Sequence, residues 1–184
     1  MASIPIKENP DLEKLDVLSG LTELSLSKEE LGSIFVDALL EVVSTVSGFA
    51  FYGVAPETDT ETETENENDF DGVTGIMSLI GGKKNIMIFL SASENDLRIL
   101  CSYMSGLALD EIKSEDVYDT LCELVNMTAG NAKLRIGGTN YMFTLSLPFA
   151  ITGDNMTIIT KKRVNVFSKI LGNGEISIRL KIVY

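Results

Sequence analysis

The sequence predicts an α/β (α+β) fold of pseudo-twofold design, and three observations predict it. Amphipathic helical patterns are interspersed with short runs rich in β-branched and aromatic residues, in the order helix, strand, hairpin, helix, helix, three strands. With 184 residues and 45% hydrophobic content, the chain can bury one substantial core. Sliding it by 82 positions lays one long helix on the other without a gap, so the order reads as a duplication.

Residues 1–26 form an N-terminal lead-in. Asn9-Pro10-Asp11 could cap a short helix to Leu18 that Gly20 ends; a docking segment and a loosely ordered arm suit this stretch equally. Residues 27–184 read as a single domain with halves 27–92 and 114–184. Ser27 and Glu30 make a capping box for a helix of about twenty residues, whose buried stripe is Phe35, Val36, Leu39, Val42, Val43 and Val46. A strand is expected over 49–54. The acidic loop at 56–70 follows: its run from Glu57 to Asp69 is low-complexity and self-repelling, a solvated loop or else a site for a cation or basic partner. Strands at 73–80 and 85–91 flank a turn at Gly81-Gly82-Lys83-Lys84. Ser93 opens a helix to Met104 that Gly106 stops. Ser114-Glu115-Asp116 is read as the cap of the second long helix, which ends near Gly137-Gly138. Three strands are then expected, over 141–147 before Pro148, over 156–167 with a break, and over 175–183, the last two joined by a tight turn at Gly172-Asn173-Gly174.

Charge narrows the function classes. The net charge is −12, which argues against nucleic acid as a partner, because phosphate backbones call for a basic face. No histidine is present, which removes the commonest general base, the usual catalytic triads and most zinc sites. The two cysteines, Cys101 and Cys122, sit in apolar helical patterns and read as buried reduced thiols. Neither a signal peptide nor an apolar run of membrane-spanning length is visible. A cytoplasmic protein with no membrane partner is expected.

The second long helix carries the candidate chemistry. At about 100° per residue, Asp119, Glu123, Asn126 and Gly130 fall in one narrow stripe. Val117, Leu121, Leu124, Val125, Thr128 and Ala132 form the opposite, core-facing side. A carboxylate and a carboxamide three positions apart are neighbours on a helix surface. Such a stripe is usually only a solvated face. The duplication changes its weight: the 82-position shift carries Asp37 onto Asp119, Glu41 onto Glu123, Ser44 onto Asn126 and Gly48 onto Gly130. Amphipathicity explains the matching apolar positions but not two acids and a glycine in one register. Asp119 either supports the site by a hydrogen bond or simply favours the positive end of the helix dipole. Gly130 either gives clearance to a partner or packs helix against sheet. Tyr103 and Tyr118 read as core or interface residues.

These residues resemble the CheC/CheX/FliY family of bacterial chemotaxis proteins. The family's pattern is an acid or serine, then Glu-x-x-Asn on a helix, with a proline some twenty residues on; Asp119, Glu123, Asn126 and Pro148 match it. The resemblance covers about residues 30–184. It implies a central antiparallel-rich β-sheet flanked by two long helices plus a shorter one. It also implies a phosphatase, a hydrolase for the phosphoaspartate of a CheY-type response regulator in two-component signalling. Asn126 would orient the attacking water and Glu123 would pair with the regulator's lysine. The chain would need no cofactor of its own, since magnesium belongs to the response-regulator partner. Ser44 breaks the first Glu/Asn pair, so Asp37, Glu41 and Ser44 make a degenerate second site; this points to the CheX side of the family and to a homodimer. The alternative is a non-catalytic interaction module of the flagellar-switch type, which the intact Glu123/Asn126 spacing disfavours.

Overall fold

The first helix starts where its sequence signals say. The computed structural model describes residues 26–53, 70–81, 84–137, 142–157 and 164–184. In α1 (Lys28–Ser47) the Ser27 hydroxyl accepts from the Glu30 amide at 3.1 Å, and the Glu30 carboxylate accepts from the Ser27 amide at 2.8 Å. Together they satisfy two of the donors a helix start leaves unpaired. Gly48, at φ 74°, ends the helix in the left-handed region, where a side chain would be strained. The shorter helix α2 (Glu94–Ser105) has the same punctuation, Ser93 at its start and Gly106 at φ 74° after its end.

The long helix α3 (Ser114–Gly137) is capped differently from the expectation. Ser114 lies inside the helix, and Asp116 alone does the capping, its carboxylate accepting from the Lys113 amide at 2.8 Å. Serine was the more familiar cap, but the acid has the reach to turn back from the first turn. The apolar side of α3 is fully buried at Val117, Leu121, Leu124, Val125, Ala129, Ala132 and Ile136. Each large side chain there stabilises by about 1.5–3 kcal/mol. Thr128, also buried, returns its hydroxyl to the Leu124 carbonyl at 2.8 Å.

Among the described residues the sheet has seven antiparallel strands: β1 (Tyr52–Gly53), β2 (Phe70–Ile80), β3 (Asn85–Ala92), β4 (Thr144–Leu145), β5 (Phe149–Met156), β6 (Val166–Gly172) and β7 (Ser177–Val183). The order is β1-β6-β7-β3-β2-β4, with β5 also paired to β2. Alternation puts Ile86, Ile88, Leu90, Ile178, Leu180 and Ile182 in the main core. The other face carries a smaller cluster of Ile76, Phe89 and Val183. Gly75 lets α3 approach the sheet: a β-carbon there would stand 2.9 Å from Leu121 Cγ.

This order is symmetric. A shift of 92 positions carries Ile80 onto Gly172 and Asn85 onto Ser177, the closing pairs of the two hairpins. The same shift carries the Tyr52↔Gly172 and Gly53↔Leu171 pairings onto Thr144↔Ile80 and Leu145↔Leu79. Within the central β3–β7 ladder, Met87↔Val183 goes onto Ser91↔Arg179, which places the pseudo-dyad at Phe89↔Lys181. The fold is therefore interlaced: β1 completes the second hairpin and β4 the first.

Several strand boundaries depart from the sequence reading. Of the expected 49–54 strand, Val54 lies outside the described residues, and among the others only Tyr52–Gly53 are in the sheet. Phe49 and Phe51 leave it for packing, Phe49 meeting Tyr103 edge to face at 4.3 Å and Phe51 being buried. Among the described residues of the expected 141–147 strand, only Thr144–Leu145 pair in the sheet. Of the stretch expected over 156–167 with a break, β5 ends at Met156 and β6 begins at Val166, and residues 158–163 lie outside the described residues. Gly153-Asp154-Asn155 has turn chemistry, yet Gly153 pairs with Gly72 beside an irregularity in β2, where Gly72 has φ 81°. The last hairpin turns over Asn173–Ile176 rather than 172–174: the Asn173 side-chain oxygen accepts from the amides of Glu175 at 3.0 Å and Ile176 at 2.9 Å. The lead-in helix, the acidic run, Gly82-Lys83, Gly138 and Tyr141 lie outside the described residues.

Candidate functional site

Burial of Leu121, Leu124 and Val125 fixes the rotation of α3, and the opposite stripe therefore faces outward. Asp119 and Glu123 are exposed, while Asn126 and Gly130 are half-buried. Among the described residues, Glu123 and Asn126 have no hydrogen-bond or ion-pair partner. They stand one turn apart with a free carboxylate and a free carboxamide. A β-carbon built on Gly130 meets nothing within 4 Å. This removes the reading of Gly130 as a glycine packed between helix and sheet; it opens the surface one turn beyond Asn126.

Cys101 is buried, but Cys122, next to Glu123, is only half-buried, which corrects the expectation of two buried thiols; both are free. Partial burial, and after it the nearby Asp119 carboxylate, push the Cys122 thiol up. It stays protonated and is a poor nucleophile. Tyr118 packs against the core, whereas Tyr103 is 54% exposed. Among the described residues no cluster of acids and cysteines could hold a metal ion, and no helix is long and apolar enough to cross a membrane.

The first copy of the stripe is occupied. Asp37, Glu41 and Ser44 are all exposed on α1, but two residues of α3 reach across to the acids. Asn131 donates to the Glu41 carboxylate at 3.1 Å, and the Arg135 guanidinium also binds it. Arg135 lies 3.9 Å from the Asp37 carboxylate and donates to the Asn131 side-chain oxygen at 2.8 Å. The Asn131 hydrogen bond and then Arg135 hold the Glu41 carboxyl below the ordinary glutamate range. Sequence reasoning missed both residues. Their i, i+4 spacing was available, but their target is some ninety positions away in the chain. The two copies thus differ in more than Ser44.

The family model for the chemotaxis phosphatase CheX matches residues 73–170. No curated protein matches the chain significantly in sequence. Among solved structures, the chemotaxis protein CheX from Vibrio vulnificus is similar at a TM-score of 0.70 and 18% identity, over 86% of this chain and 99% of that one. CheX of Borrelia burgdorferi, in a complex with CheY, BeF3 and Mg2+, gives 0.62 and 20%, over 82% and 95%. Thermotoga maritima FliY gives 0.59 and 16%, over 86% and 91%. At these identities the structures attest the fold, and the family model spans more than half the sequence. The chain belongs to the chemotaxis phosphatase family CheX.

Proposed function

We propose that this chain hydrolyses the phosphoaspartate of a CheY-type response regulator in bacterial chemotaxis. The observation that carries the proposal is the pair of side chains on α3: an exposed Glu123 and an accessible Asn126, one turn apart and uncommitted among the described residues. Phosphoryl transfer asks for positioning and charge management more than for a strong base. The Asn126 amide can accept from one proton of a water and donate to a neighbouring oxygen, holding the water in line with phosphorus. Glu123, which as a carboxylate accepts and cannot donate, suits the regulator's lysine and anchors the complex. A chain without histidine can do this, because the water needs orientation and not deprotonation by the enzyme.

Magnesium comes with the regulator, and the phosphatase contributes no cofactor. Asp119 supports the Glu123 end of the stripe. The protein works in the cytoplasm as a homodimer with one working site per chain. Phosphate release from a phosphorylated CheY-type receiver tests the proposal. The unaltered chain is expected to accelerate release, and equal decay with and without it would leave only a binding role.

A further inference from the structure

We propose that Asn131 and Arg135 form an internal latch on the first half-site, so that one chain offers one docking carboxylate to its partner. This rests on the phosphatase reading for its meaning, though the latch itself is a matter of contacts within the chain. The two helices correspond at a shift of 82 positions and the strands at 92. The ten extra positions therefore fall after Gly130 and before Thr144. Gly48 ends α1, but at the matching Gly130 α3 runs on for two more turns to Gly137. Those turns carry Asn131 and Arg135.

The asymmetry has a direct chemical result. On the first copy, Glu41 receives a carboxamide hydrogen bond at 3.1 Å and a guanidinium, and Arg135 also approaches Asp37. On the second copy, α1 stops at Gly48 and has no turns corresponding to those that carry Asn131 and Arg135. Among the described residues Glu123 therefore has no such tie. Arg135 is an internal stand-in for the cation that a partner brings to Glu123, and a partner's lysine would have to displace it to use Glu41. Restoring the missing amide at Ser44 would not by itself create a second site.

The experiment has two readouts. First, the Glu41 side-chain carboxyl is titrated by NMR in the unaltered chain and in Asn131→Ala/Arg135→Met, where methionine keeps the aliphatic stem over α1. The titration midpoint is expected to rise to the ordinary glutamate value in the variant; an unmoved midpoint overturns the latch. Second, the α3 site is disabled with Glu123→Ala/Asn126→Ala, and decay of a CheY-type receiver domain charged with acetyl phosphate is followed. Adding Ser44→Asn alone is expected to leave decay at the receiver's own rate. Adding Ser44→Asn with Asn131→Ala/Arg135→Met is expected to speed it at least tenfold. Equal rates in these two folded variants overturn the inference. If the unaltered chain has no effect on decay, the phosphatase reading fails and the titration alone decides the latch.

Discussion

Replacing Gly130 with alanine adds one methyl group in the interior of α3, seven residues before its end. The added carbon would meet no atom within 4 Å, and the backbone is not in the left-handed region. No packing is disturbed, so the change in helix propensity decides the sign. Glycine is less favourable than alanine by about 0.8–1.0 kcal/mol in a helix interior. For a chain of this size that corresponds to a Tm rise of about 2–4 °C. Differential scanning calorimetry at constant protein concentration measures it. The surface at Gly130 is also where a partner would come close, so Gly130→Leu should keep the fold yet lower kcat/KM by tenfold or more. A fall in Tm for Gly130→Ala would refute the reasoning, since it would require contacts at the position where open space is found. Unchanged kcat/KM for Gly130→Leu would remove the clearance role.

The same substitution at Gly75 should have the opposite sign: a β-carbon 2.9 Å from Leu121 Cγ and 3.3 Å from the Leu121 carbonyl oxygen overpacks the helix–sheet contact, and urea unfolding should show a loss of about 1–3 kcal/mol. Acid sensitivity follows from Glu41. Its folded pKa is depressed, so its contribution is present above the ordinary glutamate value and is lost as pH falls through the depressed one. Urea midpoints measured from about pH 6 to pH 3 should therefore fall more steeply for the unaltered chain than for Glu41→Gln. Ser44→Ala should leave phosphate release unchanged, because its neighbour Glu41 is engaged by Arg135; a large loss would show a working first half-site.

Much of the fold was legible where local chemistry decides it. The capping box of Ser27 and Glu30, the stop at Gly106, and the apolar side of α3 depend on residues within one or two turns of each other. The strands after α3 were harder. Gly153 lies within β5 and pairs with Gly72, across some eighty positions, a pairing that no local pattern records. Phe49 and Phe51 have strand propensity, but packing takes them out of the sheet. At the site, the stripe from Asp119 to Gly130 was readable because helical periodicity is local. Its difference from the first copy was only half readable. Ser44 could be seen in the alignment, whereas the hold of Asn131 and Arg135 on Glu41 depends on how α1 and α3 cross.

The central claim is that Glu123 and Asn126 do the chemistry, and single-turnover decay of a phosphorylated CheY-type receiver tests it most directly. With the phosphatase in excess, Asn126→Ala should slow the saturated rate by about 10²-fold, the scale set by losing the orientation of an attacking group. Glu123→Ala should chiefly raise the concentration of phosphatase needed for half-maximal rate. If Asn126→Ala decays the receiver as fast as the unaltered chain at saturation, the account of this site is wrong.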